Sequence, residues 1–392
     1  MLDTQRLPAD FYRRLQDDIR AQLAEEALDA VLTDDPEDVA YLTGFFHHPN
    51  ERPAVVLLPA DRATLLLVPE LEREYAQAQR AAAEIVAYPE FPGLQPPFSY
   101  LGAAAEPTTG RIGYAGSITV DRLDQVRAAF PKATLVRTDL VMRARFHKRP
   151  EEIALHAEAA RITDLMLAAG RALVEDAVAA GGELPSEAEL AGHITGVGTR
   201  TMYADHADVV VVSLLAGGLV YSGPNSARPH ALPSGHRLRP GETFMLSLGC
   251  AVGGRFVEGE RTFILGEPSA DQVRYYEAVR QAQQTGGEAL RPGVACSEAN
   301  RVCLDVIREA GLDQYLRHRQ GHGIGLGMHE APWLSDGDDT PLAEGMVVSN
   351  EPGIYIPGHA GYRISDSMLI TSDGARPFTA YPRSLDDVVI AL

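Results

Sequence analysis

The chain has 392 residues, 45% of them hydrophobic and 23% charged, and it carries a formal net charge of −19 at pH 7. A chain of this length exceeds what one hydrophobic core usually supports, so we expect two domains in a soluble globular protein. The acidic balance argues against a nucleic-acid-binding surface, which needs clustered Lys and Arg to contact phosphates.

The first 140 residues or so alternate between strand and helix patterns, which predicts an α/β domain. Its predicted elements are a helix at 9–27, a strand at Ala30–Thr33, a helix starting at Asp35–Pro36, a hairpin of Ala54–Leu58 and Thr64–Val68, and a helix at 70–83. The segment 92–110 is rich in Pro, Gly and Ala and is predicted to be a loop, either a lid or a surface excursion.

A basic run that starts at Met142 ends in Pro150 and an acidic helix start. We place the domain boundary there, between residues 1–145 and 146–392. The second domain repeats a pattern of helices followed by paired strands. Its predicted elements are helices at 150–181, 186–203, 270–288 and 297–310, a turn at 252–254, and strands that include 208–213, 220–222, 244–249, 256–265 and 347–350.

The polar residues of strands 244–249 and 256–265 indicate a functional site. Strand 244–249 is apolar enough to be buried on both faces, so Ser247 needs a polar partner. Glu258 and Glu260 are two positions apart on one strand and therefore share a face. Two carboxylates on one face of a core strand must share a proton, a metal ion or a cationic substrate.

Several other residues are candidates for the same site. His322 lies between two glycines, where another group can approach the backbone closely, and it can be a metal ligand, a proton donor or a hydrogen-bonded core residue. Glu351 and Arg363 are further candidates. His230 follows Pro229 on a stiff segment that suits a general acid or base, and the structural alternative is a loop histidine satisfied by the backbone.

Five blocks in the second half of the chain resemble the motifs of the pita-bread peptidase family. The blocks are Ser222–His230, Gly254–Phe263, Gly321–Glu330, Gly345–Pro357 and Gly361–Ile364. That family includes prolidase, aminopeptidase P, methionine aminopeptidase and the metal-free enzyme creatinase, and the N-terminal segment resembles the small domain that prolidases and creatinase share. The resemblance implies an α/β N-terminal domain and an α+β pita-bread (creatinase/aminopeptidase) C-terminal catalytic domain.

The resemblance also implies where metal ligands would lie. The metallopeptidases of the family hold two metal ions with five side chains, and those positions fall on Ser247, Glu258, His322, Glu351 and Ser365. A serine hydroxyl is a neutral, poor ligand and cannot bridge two divalent ions as a carboxylate does. We therefore expect a degenerate metal site and no cofactor. The alternative is a single divalent ion, Mn, Co or Zn, held by Glu258, His322 and Glu351.

Members of the family also suggest roles for the other polar residues. The catalytic histidine of creatinase matches His230, and its two substrate-binding glutamates match Glu260 and Glu351. In prolidase-like members, matching histidine and arginine positions contact the substrate or move protons. We therefore predict catalytic roles for His230, Glu260, Glu351 and His322, and substrate contacts for His329, Arg363, Glu258 and Tyr355.

Three functional hypotheses follow from these features. The main one is a metal-independent hydrolase of C–N bonds in a small amino-acid-like, guanidino or amidine substrate, with creatinase-like chemistry. The second is an Xaa-Pro dipeptidase of the prolidase type that uses one or weakly bound metal. The third is a pseudoenzyme that binds a peptide or small molecule without turnover. The resemblance further implies a homodimer.

The chain contains three cysteines, too few for a disulfide framework, and no apolar signal core or membrane-spanning run. We therefore expect a cytoplasmic protein. Its expected partner is a small molecule or dipeptide, and neither nucleic acid nor membrane.

Overall fold

The computed structural model of the protein describes residues 5–93, 95–105, 110–212 and 214–392. These residues divide into two units. Arg6–Arg145 together with Val210–Val212 make the N-terminal unit, and the other described residues make the C-terminal unit. In the described part of the chain, no helix is both long and apolar enough to cross a bilayer.

The N-terminal unit is built on a six-stranded mixed sheet. Its helices are α1 (Ala9–Glu25), α2 (Pro36–Thr43), α3 (Arg73–Ala78), α4 (Pro97–Ala104), α5 (Val120–Ala129) and α6 (Leu140–Ala144), and its strands are β1 (Ala30–Thr33), β2 (Val55–Pro59), β3 (Leu65–Pro69), β4 (Glu84–Tyr88), β5 (Arg111–Ala115) and β6 (Thr134–Thr138). The strand order is β4-β3-β2-β1-β5-β6. β1 runs parallel to β5 and antiparallel to β2, so the sheet joins a hairpin to βαβ-type connections.

Local sequence signals explain how α2 begins and ends. The side chain of Asp35 accepts hydrogen bonds from the backbone N–H groups of Glu37 and Asp38. Pro36 occupies the first helical position, and Gly44 ends the helix with a φ of 74°. These are the cap preferences that helices have in general. The helix start predicted at Asp35–Pro36 is therefore confirmed.

The predicted hairpin is confirmed, because β2 and β3 pair antiparallel. The helix predicted at 70–83 is shorter than expected. Glu70–Glu72 form a 3₁₀ turn, α3 ends at Ala78, and β4 begins at Glu84.

The loop predicted at 92–110 is wrong in part, because α4 lies within it. Residues 94 and 106–109 of that segment lie outside the described residues. Pro97 opens the helix, and Phe98 and Leu101, three positions apart, are buried on one face. A first-turn proline and this spacing favour a helix, which the Pro- and Gly-rich composition concealed.

The C-terminal unit is built on a nine-stranded sheet. Its helices are α7 (Pro150–Ala179), α8 (Glu187–Asp205), α9 (Ala270–Ala289), α10 (Cys296–Glu309) and α11 (Leu385–Val388), and its strands are β7 (Ala216–Ser222), β8 (Thr243–Val252), β9 (Arg255–Leu265), β10 (Gly321–Gly323), β11 (Glu330–Leu334), β12 (Val347–Asn350), β13 (Gly353–Ile356), β14 (Ala360–Arg363), β15 (Ser365–Ile370), β16 (Ala375–Pro377) and β17 (Val389–Ile390). The sheet follows the path β11-β10-β12-β15-β9-β8-β7, with β16 paired to β15 and β17 to β9. β13 and β14 form a separate two-stranded ribbon.

Strands β8 and β9 form the long hairpin that carries the polar residues. Gly253 and Gly254 make its tight turn with φ values of 58° and 74°, as the sequence predicts. Ser247 on β8 lies opposite Glu260 on β9. On its other side, Glu260 lies opposite Ser365 of β15. The register therefore places both serines beside one glutamate.

The two glutamates of β9 share the face that points away from α7. Gly259, the residue between them, faces this helix, since a Cβ built on it would lie 3.2 Å from the Thr163 Cγ2 atom of α7. Side chains alternate along a strand, so Glu258 and Glu260 point to the opposite face. The prediction that they share a face is confirmed.

The four long helices predicted for this unit are confirmed within a few residues as α7, α8, α9 and α10. The strand predicted at 208–213 is wrong. Residues 208–212 are irregular, residue 213 lies outside the described residues, and the strand of this region is β7. An apolar run forms a strand only where a neighbouring strand completes its backbone hydrogen bonds, and β8 pairs with β7 instead.

Candidate active site

A cavity of about 860 Å³ in the C-terminal unit includes both β9 glutamates in its lining. Seven of the eight residues predicted to act in catalysis or substrate contact line this cavity, namely His230, Glu258, Glu260, His322, His329, Glu351 and Arg363. The eighth, Tyr355, is fully buried and its hydroxyl accepts a hydrogen bond from Arg363. The structure thus brings together side chains from strands β9, β10 and β14 and from the segments around them.

One side of the cavity is a closed network, here called the Arg363 cluster, of Arg363, Glu260, Ser247, Tyr221 and Tyr355. Arg363 Nε lies 2.5 Å from Glu260 Oε2, and Arg363 Nη2 donates to Glu260 Oε1 at 2.7 Å. Nη2 also donates to the hydroxyls of Tyr221 and Ser247, and Nη1 donates to that of Tyr355. Ser247 Oγ donates to Glu260 in turn. Each nitrogen of the guanidinium therefore lies near an oxygen of the protein, and the contact of Nε with Glu260 Oε2 is an ion pair without regular hydrogen-bond geometry.

The Arg363 cluster is an ion pair held in a buried site. Burial raises the pKa of Glu260, and the Arg363 charge opposes that rise. Burial lowers the pKa of Arg363, but Glu260 outweighs it and the pKa stays well above its usual range. A bidentate pair of this kind is geometrically specific, and breaking it leaves a buried charge. Glu260 thus has an internal cation.

The sequence analysis missed one member of this network, Tyr221, and a neighbour of it, His318. Tyr221 contributes a hydroxyl to Arg363, and His318 Nε2 accepts a hydrogen bond from Tyr355 Oη at 2.8 Å. His318 Nδ1 lies 2.8 Å from the backbone oxygen of Arg319, so the ring proton sits on Nδ1. Tyr221 directly precedes the block Ser222–His230, and His318 lies three residues before the block Gly321–Glu330. Their closeness to these blocks is the signal that could have identified them.

The other side of the cavity is a second group, here called the open cluster, of Glu258, His322, His329 and Glu351. His322 Nε2 lies 3.2 Å from Glu351 Oε1 and 3.9 Å from Glu258 Oε2. The rings of His322 and His329 have centroids 4.0 Å apart. One ligand atom from each of Glu258, His322 and His329 lies within 4.8 Å of the others. Three metal-ligating side chains therefore converge on one point.

The hydrogen bonds of His322 leave one nitrogen available. Its Nδ1 lies 3.0 Å from the backbone oxygen of Gly323, which can only accept, so Nδ1 carries the proton. Its Nε2 is buried and makes no hydrogen bond of regular geometry to any described residue. His322 is charged in the metal-free cluster, because its pKa is raised to about 9; when the ring gives up one proton, this carbonyl keeps the other on Nδ1, so the neutral ring would present Nε2 to a metal ion.

The ionisable groups of the open cluster shift one another's pKa values. Burial raises the pKa of Glu258, and repulsion from Glu351 raises it further. Burial opposes the ionisation of Glu351, but His322 outweighs it and lowers that pKa. For His322, burial lowers the pKa, yet the two carboxylates outweigh it and raise the pKa. Burial and the His322 charge lower the pKa of His329 to about 4, which keeps its ring neutral.

The open cluster fits one divalent ion. Neighbouring ligands of a tetrahedral ion such as Zn²⁺ lie roughly 3.4 Å apart, so the three atoms, which lie within 4.8 Å of one another, would each have to move inward by under about 1 Å to bind one ion. We predicted Glu351 as the third ligand, whereas the converging group contains His329 in its place. A second ion does not fit, because Ser247 and Ser365 are neutral and Glu260 already binds Arg363.

The sequence matches two known domain families. Residues 154–372 match metallopeptidase family M24. Residues 13–147 match the creatinase/prolidase N-terminal domain.

Individual relatives align over nearly the whole chain. The chain is 30% identical over 375 residues to an Xaa-Pro dipeptidase of Lactobacillus delbrueckii subsp. lactis, covering 94% of this chain and 97% of that protein. Its structure is similar to dipeptidase PepE from Mycobacterium ulcerans, with a TM-score of 0.85 and 27% identity over 99% of this chain and 100% of the other. It is also similar to the prolidase of Pyrococcus horikoshii OT3, with a TM-score of 0.81 and 26% identity over 95% and 99% of the two chains.

These comparisons confirm the predicted family and fold class. They also show that the expectation of no cofactor is wrong, because the match is to a metallopeptidase family. The open cluster agrees with that correction, since Glu258, His322 and His329 form a group that can hold a metal ion. The two serines remove ligands of a second ion, but they leave the three converging side chains in place.

Proposed function

The chain belongs to metallopeptidase family M24, and we propose that it is a dipeptidase that hydrolyses Xaa-Pro dipeptides with one divalent metal ion. The open cluster carries this proposal, because three ligating side chains converge beside a cavity, and the buried Nε2 of His322, 3.2 Å from Glu351 Oε1, makes no hydrogen bond of regular geometry to a described residue. The relatives named Xaa-Pro dipeptidase, dipeptidase and prolidase support the substrate class.

In this proposal, Glu258, His322 and His329 hold the ion, and Glu351 lies beside it. A bound divalent ion supplies Lewis acidity to the scissile carbonyl and makes a water more acidic. A fixed His322 tautomer favours this arrangement, because the Nδ1 proton is already committed to the Gly323 carbonyl.

The chain's own residues move the protons. Glu351 has a lowered pKa and is ionised at neutral pH, so its Oε1 is free to accept a proton from the attacking water, and it releases that proton to solvent before the next turnover. The water oxygen bonds to the carbonyl carbon, and the C–N bond to proline breaks. His230, in the cavity lining, gives a proton to the departing prolyl nitrogen and regains one from solvent.

The positive charge of Arg363 favours one bound metal ion over two. A second dication beside Glu260 would lie next to the guanidinium, whose Nε is 2.5 Å from Glu260 Oε2. A dication and a guanidinium bound to the same buried carboxylate would repel each other strongly. Arg363 therefore supplies the positive charge that Glu260 needs.

Metal reconstitution tests the proposal. The protein is stripped with EDTA, supplied with Mn, Co or Zn, and assayed with Xaa-Pro and Xaa-Ala dipeptides. We expect about one bound equivalent by elemental analysis, and turnover of Xaa-Pro only when metal is present. His329→Ala lowers metal affinity about tenfold or more, whereas Ser247→Ala, in the Arg363 cluster, leaves it within about threefold.

Three results would contradict the proposal. Turnover that persists in EDTA would show a metal-free hydrolase. Two tightly bound equivalents would show that Arg363 does not exclude a second ion. Dipeptide binding without product in either condition would show a non-catalytic binder.

We also propose that the enzyme works in the cytoplasm as a homodimer. Cys250, Cys296 and Cys303 are free and buried, which agrees with a reducing compartment. The family resemblance supports the dimer. Light scattering tests it, with an expected mass of twice 42.3 kDa, and the mass of a single chain would contradict it.

A further inference from the structure

The carboxylate of Glu187 connects the two ends of the segment that carries His230. Glu187 is the first residue of α8 and is fully buried. Its Oε1 accepts hydrogen bonds from the backbone N–H and the hydroxyl of Ser222, at 2.7 and 2.9 Å. Its Oε2 accepts from Asn225 Nδ2 at 2.9 Å, and from the backbone N–H and hydroxyl of Ser234 at 2.9 and 2.6 Å.

We propose that Glu187 is a positioning residue that fixes the segment 223–233, here called the His230 segment, against the cavity. Ser222 ends β7, and Ser234 directly follows the segment, so one carboxylate closes it at both ends. Closing a flexible segment costs chain entropy, and a rigid anchor at its base limits what the residues between can do. A general acid needs that fixed geometry. The inference rests on the proposed role of His230.

The His230 segment reaches the site with four consecutive residues. Arg228, Pro229, His230 and Ala231 all line the cavity. His230 itself is exposed, so packing in a core does not hold its ring. Its placement therefore depends on how the segment is anchored.

The energetics favour a dedicated role for a carboxylate at this position. A fully buried carboxylate is costly unless its oxygens are satisfied, and here five hydrogen bonds satisfy both, one from Asn225 in the segment and four from Ser222 and Ser234 at its two ends. The positive end of the α8 helix dipole adds to this compensation. An apolar residue would fill the space without the desolvation cost of a buried charge, but it could not bind both ends of the segment.

Other contacts keep the segment folded when Glu187 is changed. Tyr221 Oη donates to the backbone oxygen of Pro229 at 3.0 Å, which links the segment to the Arg363 cluster. Ser226 Oγ accepts from the backbone N–H of Gly361 at 2.9 Å. A change at Glu187 therefore alters the position and mobility of the segment more than the fold.

The test uses the full chain and combines hydrogen exchange, measured in EDTA, with kinetics, measured after reconstitution with Mn. Glu187→Gln keeps the side-chain volume but turns an N–H₂ group toward N–H donors. Glu189→Gln is the matched control, because Glu189 lies on the same helix, is exposed, and binds Ser186 and Arg237 instead. Ser234→Ala is a milder second variant that removes one hydroxyl donor at the far end.

Exchange in EDTA, without substrate, reports anchoring independently of turnover. We expect Glu187→Gln to speed amide exchange in 223–233 at least about tenfold while β8 and β9 change less than twofold, with Ser234→Ala intermediate and Glu189→Gln unchanged. Unchanged exchange in 223–233, or equal acceleration throughout the C-terminal unit, would overturn the inference.

Kinetics then report positioning. For an Xaa-Pro dipeptide we expect Glu187→Gln to lower kcat at least about tenfold with KM within threefold, and to add less than a further twofold loss in a His230→Ala background. A full additional loss in that background would show that Glu187 does not act through His230. If the wild-type protein turns over no dipeptide, the proposed function fails, and the exchange result alone decides whether Glu187 anchors the segment.

Discussion

The Arg363 cluster and the open cluster line one cavity and both contain buried glutamate, yet they balance their charge differently. In the Arg363 cluster, Glu260 meets a guanidinium at 2.5 and 2.7 Å. In the open cluster, Glu258 and Glu351 share one imidazole at 3.9 and 3.2 Å, and its Nε2 makes no regular hydrogen bond to a described residue. A carboxylate that has its own cation is closed to a metal ion, whereas two that share one can accept another.

Removing the carboxylate that neutralises Arg363 has the largest expected effect. Glu260→Ala leaves the Arg363 guanidinium buried and uncompensated, and we expect a loss of about 3–5 kcal/mol in the free energy of unfolding. Urea denaturation in EDTA measures it. The double variant Glu260→Ala, Arg363→Met should recover much of the loss, because it removes both charges. A loss below about 1 kcal/mol in the single variant would show that the ion pair is not the main partner of Arg363.

The next largest effect separates the two clusters by metal affinity. His322→Ala removes the central ligand of the open cluster, and we expect the affinity for Mn or Zn to fall about 100-fold, roughly 2.7 kcal/mol. His318→Gln, a change beside the Arg363 cluster, should leave the affinity within about threefold. Isothermal titration measures both, and equal losses would contradict the division of the cavity into two clusters.

His156, a buried histidine outside both clusters, shows how burial changes the pKa of an imidazole whose hydrogen-bond partner is a backbone carbonyl instead of a carboxylate. His156 is fully buried, with Nδ1 2.9 Å from the Phe256 oxygen. Burial, helped by the Lys148 charge, lowers its pKa to about 3. In the unfolded chain the pKa is roughly 6.5, so the unfolded state binds more protons between these values and stability falls as the pH drops through that window.

The fall in stability with decreasing pH can be measured against a variant that lacks the imidazole. Between pH 6.5 and 5.5 the wild-type protein should lose roughly 1 kcal/mol more than His156→Gln, which cannot take up the proton. Urea denaturation at the two pH values measures the difference, and other titrating groups cancel between the two proteins. Equal losses would show that His156 is not held neutral by the fold.

The smallest expected effect is on stability, when the carboxyl group of Glu258 is replaced by an amide. This variant separates the contribution of Glu258 to folding from its contribution to metal binding. Because burial and Glu351 raise its pKa, Glu258 is largely protonated near pH 7 without metal, and glutamine resembles that form. We expect Glu258→Gln to change the free energy of unfolding in EDTA by less than about 0.5 kcal/mol, while weakening metal binding about tenfold or more. A large stability loss in EDTA would mean that the carboxylate is ionised in the metal-free protein.

Local sequence patterns predict the elements that build the site. The alternation of side chains along a strand placed Glu258 and Glu260 on one face, and the paired glycines of the β8–β9 turn set the hairpin. The ordered motif blocks identified seven of the residues that line the cavity. These inferences held because they depend on local periodicity, turn chemistry and motif order, all of which are written in short stretches of chain.

Long-range packing selects the partner of each polar group. Glu260 and Arg363 are 103 positions apart and pair through the placement of β14 beside β9, which no local pattern encodes. The same holds for His329, which joins His322 and Glu258, and for Glu187, which reaches Ser234 from the start of α8. Periodicity fixes the face on which a side chain lies, but the charge that compensates it depends on long-range register and packing, so the sequence could not tell a metal ligand from an internal ion pair.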